Sequence, residues 1–228
     1  MAGIQQIAVE APSFAGSTIG RKVVMAASGL VLFGFVFVHM IGNLQVFLPD
    51  HEAINHYGAF LREFLHGTGI WIARGGLLLA VGLHIWSATS LTLTNRRARP
   101  IAYRVVTHDA STYASRTMRW GGVIILLFVV YHLLHMTVGT VHPDFIHGDV
   151  YRNIVIGFRV WPVTLFYLLA MVCLGFHLRH GVWSMLQTLG VSHPRWDKAR
   201  QVASAAFAIV VTLGFVAVPL AVLAGVVK

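Results

Sequence analysis

Five long runs of apolar residues, separated by short polar segments, dominate the hydrophobic pattern of the chain. They cover about residues 23–48, 70–95, 120–141, 160–190 and 203–227. Each run is long enough to cross a hydrocarbon core of about 30 Å, which takes about 20 helical residues. None has the alternating pattern of a membrane strand. The pattern therefore predicts an all-α integral membrane protein with five transmembrane helices in a single domain over residues 1–228.

The composition supports the same class and excludes others. Hydrophobic residues make up 57% of the chain and charged residues only 11%, whereas soluble domains carry about 25% charged residues. This argues against a soluble enzyme. The net charge of +9 sits in short blocks between the apolar runs, which argues against a nucleic-acid binder. The single cysteine, Cys173, lies inside an apolar run and excludes a disulfide framework, a thiolate zinc site and an iron–sulfur cluster.

The basic residues predict how the chain is oriented in the membrane. Eleven of them lie in the segments before the first run, between the second and third, and between the fourth and fifth, against four on the opposite side. The eleven are Arg21, Lys22, Arg96, Arg97, Arg99, Arg104, Arg116, Arg119, Arg195, Lys198 and Arg200, and the four are Arg62, Arg152, Arg159 and Lys228. This bias places the N-terminus in the cytoplasm and the C-terminus outside. Residues 49–69 and 142–159 then form outer loops, the first with a short amphipathic helix.

Histidines inside the apolar runs are the main chemical signal. The chain has 13 histidines, and ionisable side chains at membrane depth are costly and usually functional. Six lie within the runs: His39, His84, His132, His135, His177 and His180. A single one could be a packing residue, but histidines on four consecutive spans point to a shared role.

The spacing of these histidines indicates a two-helix unit used twice. His132 lies 93 residues after His39, and His177 lies 93 residues after His84. The flanking glycines repeat at the same offsets: Gly29, Gly122, Gly82 and Gly175. At about 1.5 Å per residue, the first pair lies about 15 Å below the outer boundary and the second about 22 Å below it. The first four spans are therefore expected to form a bundle with histidine pairs at two levels.

Two facing imidazoles in an apolar bundle predict a b-type haem, whose iron takes one axial ligand on each face. Zinc or copper would call for more ligands converging on one point, and a proton relay usually recruits acids within the spans, which are absent here. We therefore predict two b haems, an outer one held by His39 and His132 and an inner one held by His84 and His177. His135 and His180 are alternative ligands, because each lies three residues from a predicted one. The glycine register favours His132 and His177.

Other residues of the spans are candidates for the haem surroundings. Residues at the haem rim or near the propionates are Ser28, Arg74, Arg179 and His180. Small residues that let a ring or a helix approach closely are Gly34, Gly75, Gly76, Gly82, Gly121, Gly122 and Gly175. The fifth span has no histidine and no charge between Ala203 and Val227, which favours a lipid-facing or subunit-packing helix.

Four motifs around the histidines resemble a known family. They lie at residues 27–45, 84–100, 131–135 and 175–190, and the most specific is GFHLRHGVWS at 175–184, continued by QTLG at 187–190. Over about residues 20–225 the chain resembles the membrane cytochrome b subunit of succinate dehydrogenases and fumarate reductases. The resemblance is to the branch in which one subunit carries two haems.

That resemblance implies a function in a larger complex of a bacterial cytoplasmic membrane. A flavoprotein subunit and an iron–sulfur subunit would dock on the cytoplasmic side, and the complex could form a higher oligomer. Electrons would pass through the inner and outer haems to a membrane quinone, usually menaquinone in this branch. The family pattern carries over the ligands His39, His84, His132 and His177. No succinate site would lie on this chain, and both succinate oxidation and fumarate reduction remain open.

The quinone site and the overall function keep alternatives. An outer quinone site would use Glu63, Arg74 and nearby loop histidines, and an inner one would use Ser17, Arg21 and Lys22. Two other functions compete with the family reading. One is a cytochrome b anchor of a different respiratory complex, which usually carries its ligands on fewer helices. The other is a non-haem, histidine-rich membrane transporter.

Overall fold

The computed structural model describes residues 13–98 and 113–228, and within these ranges the chain forms seven α-helices and no strand. The helices are α1 Thr18–Leu44, α2 Ala53–Glu63, α3 Thr68–Ala98, α4 Tyr113–Leu133, α5 Val150–Arg159, α6 Trp161–Thr188 and α7 Asp197–Leu223. A π-helical turn, Leu134–Val138, prolongs α4. Two of the predicted basic residues, Arg99 and Arg104, lie outside the described residues.

Five of these helices are long and apolar enough to cross a membrane, which confirms the predicted all-α membrane class. The spans are Thr18–Phe47, Thr68–Ala98, Arg116–Val138, Trp161–Thr188 and Pro194–Leu223. The third span ends at Val138 rather than 141. Gly139 follows with a φ of 86°, a left-handed conformation that favours glycine, and its N–H closes the last turn on the Leu134 carbonyl at 3.0 Å.

The fifth helix differs most from the expectation of a lipid-facing or subunit-packing span over 203–227. α7 begins at Asp197 and packs along α6 and also against α1. Val211 is fully buried, in a cluster with Met40, Leu178 and Ala208. α7 is therefore part of the core of the bundle, while its opposite face is exposed and free to meet lipid.

Two short helices cover the end of the bundle that the charge bias places outside. α2 confirms the amphipathic helix predicted in residues 49–69, whereas α5 occupies part of 142–159, which was predicted as a loop. Asn55 joins the two helices, because its amide nitrogen donates to Asp149 Oδ1 at 3.2 Å and its oxygen accepts from the Tyr151 N–H at 2.9 Å. Asp149 also caps α5 by accepting the Arg152 N–H at 3.1 Å. We call α2 and α5 together the outer cap.

The four histidine-bearing spans pack in pairs. α1 packs mainly on α3, and α4 packs on α6, with α7 joining the two pairs through α6 and α1. The predicted histidine partners therefore belong to different pairs: α1 faces α4 for one, and α3 faces α6 for the other.

Candidate functional site

The structure brings the four predicted ligands together as two ring pairs. The ring centroids of His39 and His132 are 5.9 Å apart, with their planes at 75°. Those of His84 and His177 are 6.2 Å apart, with their planes at 61°. Each pair joins two helices that belong to different packing pairs, so both pairs lie across the interior of the bundle.

These separations fit a haem with two axial imidazoles. An iron about 2 Å from one nitrogen of each ring places the two ring centroids about 6 Å apart. A side chain at Gly29 would meet the His84 ring, since an added Cβ would lie 3.4 Å from Cε1. The donors, their spacing and this small residue are therefore suited to a bis-histidine b haem at each pair.

Glycines along the spans divide into two groups. A Cβ added at six of the seven predicted small positions would meet nothing within 4 Å: Gly34, Gly75, Gly76, Gly82, Gly121 and Gly122. At Gly175 it would lie 2.6 Å from Thr212 Oγ1, so this glycine serves the packing of α6 against α7.

His135, the alternative to His132, has a different environment. Its side chain is fully buried, and its ring lies 4.9 Å from that of His142 beneath α5. Its Nδ1 lies 3.0 Å from the Tyr167 hydroxyl, and His132 Nδ1 lies 3.2 Å from the same oxygen. The structure thus places His132 opposite His39 and places His135 in a polar group on the side of the outer cap.

His180, the alternative to His177, lies beside Trp183, with ring centroids 6.1 Å apart. It is the ring of His177 that pairs with His84. Both alternatives from the sequence therefore lie next to a pair, and neither is part of one.

Polar side chains also lie near the rings of His84 and His39. Ser28 is buried, donates its hydroxyl hydrogen to the Val24 carbonyl at 2.7 Å, and lies 3.4 Å from His84 Nδ1. The Asn43 amide donates to the His39 carbonyl at 2.7 Å and lies 3.3 Å from His39 Nε2. Iron at that nitrogen would replace the longer of the two Asn43 contacts and keep the shorter one.

The predicted arginines of the spans lie apart from the histidine pairs. The Arg74 guanidinium lies 4.9 Å above the ring of Trp71 and is exposed, as expected for a side chain reaching the interface. Arg179 is exposed on α6. The structure gives neither of them a contact with a paired histidine.

The quinone candidates fall at the two ends of the bundle. Glu63 is the last residue of α2 and is exposed. Ser17 caps α1 by accepting the Gly20 N–H at 2.9 Å. Arg21 donates to Thr94 Oγ1 at 2.9 Å and to the carbonyls of two residues before α1, while Lys22 is exposed. Ser17 and Arg21 thus have structural partners, and Glu63 does not contact Arg74.

The sequence pattern did not indicate two functional candidates, Tyr167 and Arg200. Tyr167 sits in an apolar run, where its hydroxyl is the only signal. The sequence pattern places Arg200 among the basic residues between the fourth and fifth apolar runs, yet Arg200 is only 6% exposed. Its Nη2 donates to Asp197 Oδ1 at 2.6 Å, and its guanidinium carbon lies 6.0 Å from the Trp183 ring.

Most of the buried polar atoms without a hydrogen-bond partner in the described residues lie on α6 and near the start of α7. Within the described ranges there are five such side-chain atoms, and four are His177 Nδ1, Trp183 Nε1, Arg200 Nε and Arg200 Nη1. The fifth is His135 Nε2. Such atoms are uncommon in native structures and call for a ligand, an ion or water. Among residues 13–98 and 113–228, no group of three or more His, Cys, Asp or Glu side chains is placed to hold a metal ion.

Comparison with known proteins identifies a family for the chain. A family model described as the succinate dehydrogenase/fumarate reductase transmembrane subunit matches residues 92–217. These residues include His132 and His177, whereas His39 and His84 precede them. No curated protein and no solved structure matches the chain.

Proposed function

Because the chain belongs to the succinate dehydrogenase/fumarate reductase transmembrane subunit family, we propose that it is a dihaem cytochrome b anchor of a succinate:quinone oxidoreductase. The observation that supports this proposal is the pair of ring separations, 5.9 and 6.2 Å, on four different spans. Two b haems, when bound, would supply one-electron transfer between the iron–sulfur subunit and a membrane quinone, in this branch menaquinone.

The proposed ligands are His39 and His132 for the outer haem and His84 and His177 for the inner haem. The protein's part is to hold these imidazoles across the bundle and to keep water from them. If two histidines held each haem, the sites would be suited to electron transfer rather than to binding oxygen. The buried Ser28, 3.4 Å from His84 Nδ1, would orient the ring of His84.

The buried donors at the inner end would hold the haem propionates. Arg200 offers two unpaired N–H groups and Trp183 one, and His180 lies beside Trp183, three residues after the ligand His177. A carboxylate there would satisfy groups that are otherwise costly to bury. This assignment replaces Arg74 and Arg179 as propionate partners and keeps His180.

The partners would be the flavoprotein and iron–sulfur subunits on the cytoplasmic side of a bacterial membrane. The end that the charge bias places inside carries exposed basic residues, among them Arg96, Arg97, Arg195 and Lys198. We assign most of these residues to the orientation of the chain in the membrane, through the positive-inside rule, rather than to docking of a partner. Succinate or fumarate would react on the flavoprotein, since the family supplies the membrane subunit of the complex.

A spectrum of the purified complex tests this function. We expect a dithionite-reduced minus oxidised spectrum of b type, insensitive to carbon monoxide, with two haems per chain by pyridine haemochromogen quantitation. A folded, natively purified complex without haem would overturn the cytochrome assignment.

The quinone site is proposed at the outer end, because Ser17 and Arg21 at the inner end already have structural partners while the Glu63 carboxylate is exposed. If Glu63 exchanges protons with the quinone, Glu63→Gln should lower quinone turnover at least about tenfold. The measurement is succinate-driven reduction of a menaquinone analogue by the intact complex, with the haem spectra unchanged.

Glu52→Gln is the matched control for Glu63. It removes another exposed acid, immediately before α2, whose carboxylate accepts from the Asn55 amide at 3.1 Å. Equal turnover in the two variants and the parent would contradict the outer site.

A further inference from the structure

A buried polar network links the proposed outer ligand to the outer cap. It comprises His132, Tyr167, His135, His142 and Asn153, which we call the outer polar network. Of these, Tyr167, His135, His142 and Asn153 are all buried. Because ionisable side chains within membrane spans are costly and usually functional, His132 and His135 need an explanation beyond packing.

The hydrogen bonds at the cap end determine where the protons of His142 lie. Its Nδ1 accepts the Asp144 N–H at 3.1 Å, so Nε2 carries the hydrogen and donates to the Asn153 carbonyl at 2.9 Å. The Asn153 side chain in turn bonds both backbone groups of Ile146, at 3.0 and 2.7 Å. This end of the network is therefore held rigidly by α5 and the segment before it.

The Tyr167 hydroxyl lies between two imidazole nitrogens and has one hydrogen to give. It lies 3.2 Å from His132 Nδ1 and 3.0 Å from His135 Nδ1. A histidine that binds iron through Nε2 carries its hydrogen on Nδ1. His132 then donates to the Tyr167 oxygen, and Tyr167 donates to His135.

His135 is kept in an unfavourable state by this arrangement. With Nδ1 accepting, its Nε2 carries a hydrogen, and that buried atom has no partner in the described part of the chain. A Cβ at residue 157 would lie 2.9 Å from His135 Cε1 and 3.0 Å from His142 Nε2, so only glycine lets α5 close over both rings. The packing thus holds His135 where it can accept from Tyr167.

We propose that Tyr167 is a positioning residue for His132, and that His135 fixes the direction of its hydroxyl. This inference rests on the proposed function, since it assigns a haem ligand. Tyr167 would fix the plane and the tautomer of the His132 ring, so that Nε2 faces His39. By accepting from Nδ1–H it would also make the imidazole a stronger donor to the iron.

The inner pair has other surroundings, since the side chain near His84 Nδ1 is Ser28, at 3.4 Å. The corresponding Nδ1 of His177 has no hydrogen-bond partner among the described residues. Removing the Tyr167 hydroxyl should therefore change one haem and leave the other as it was.

The test is Tyr167→Phe in the assembled complex, with redox titration and low-spin electron paramagnetic resonance of both haems. We expect two haems per chain and an unchanged signal from one. The other should show a shifted resonance and a higher midpoint potential, because a weaker donor stabilises the oxidised iron less. A tenfold change in its reduction equilibrium would appear as about 59 mV.

Two further variants separate positioning from general damage. His135→Phe removes the acceptor for the Tyr167 hydroxyl but keeps an aromatic ring, and should shift the same haem by less. Tyr151→Phe also removes a tyrosine hydroxyl at the outer cap, one that donates to the Lys228 carbonyl at 3.2 Å. It lies outside the outer polar network and should shift neither haem.

The outcomes are distinct from those for the proposed function. A parent complex without haem ends the proposed function and this inference with it. Parent-like potentials and resonances in Tyr167→Phe with both haems bound would overturn the inference alone. Equal shifts in Tyr151→Phe, or loss of both haems in Tyr167→Phe, would also overturn it by showing a structural role. Loss of the outer haem only, with both retained in Tyr151→Phe, would support it.

Discussion

Replacing His177 with alanine is expected to lower the haem content of the complex from two to one per chain. The change removes one of the two imidazoles at the inner pair, 6.2 Å from the ring of His84. The outer pair keeps its place, because His39 and His132 lie on α1 and α4. Pyridine haemochromogen quantitation against protein concentration measures the result, and the spectrum should lose one b-type component.

His180→Ala is the matched control, three residues away on the same helix. Its ring lies beside Trp183, and the structure pairs His177, not His180, with His84. We expect this variant to keep both haems, with a change limited to the propionate surroundings of the inner one. If His180→Ala lost a haem and His177→Ala kept both, the ligand assignment on α6 would be wrong.

Replacing His132 with alanine is expected to abolish quinone reduction while sparing the chemistry at the flavoprotein. The variant should lose the outer haem, since His132 is the ring that faces His39 at 5.9 Å. Losing a residue that hydrogen-bonds to a metal ligand typically lowers metal affinity or activity about 10–100-fold. Losing the ligand itself should therefore lower quinone reduction about 100-fold or more. Succinate-driven reduction of a menaquinone analogue measures this loss.

Succinate oxidation by an artificial soluble acceptor serves as the internal control for His132→Ala. It should proceed at the parent rate, because the dye takes electrons before they reach the membrane subunit. Loss of both activities would mean that the complex no longer assembles. Parent-like quinone reduction, with one haem missing, would contradict an outer quinone site that depends on the outer haem.

The inclusion of α7 in the core changes how the variants of the fifth span should be interpreted. The ring centroids of Phe215 and His39 are 5.8 Å apart, and Met40, the residue after His39, packs into the cluster around Val211. Substitutions on this face of α7 are therefore expected to disturb the positions of His39 and His132 through packing. The exposed face of the same helix, with Leu213 and Ile209, has no such connection.

Much of the fold follows from local features of the sequence. Five apolar runs of sufficient length predict five spans whatever their tertiary contacts, because the membrane requires helices that satisfy their own backbone hydrogen bonds. The repeated 93-residue interval predicts which histidines form partners, because equal intervals in a repeated two-helix unit place residues at equal depth. The family motifs around those histidines are likewise local, and the family match over 92–217 confirms the family.

The surroundings of the histidines depended on the tertiary structure. The contact of Tyr167 with His132 and His135 spans more than 30 residues, and the cover over His135 comes from α5, a helix that the pattern of residues 142–159 did not indicate. The burial of Arg200 likewise depends on the start of α7 at Asp197 and on its packing against α6.

The physical reason is that a membrane helix finds a similar environment in the lipid and in the core of the protein. Both environments are apolar, so hydrophobic periodicity cannot tell which face of a span such as α7 meets lipid and which meets another helix. The sequence by itself determined the number of spans, the family and the matched depths of the histidines. Only the packing of the helices decided that α7 belongs to the core and that Tyr167 lies behind His132.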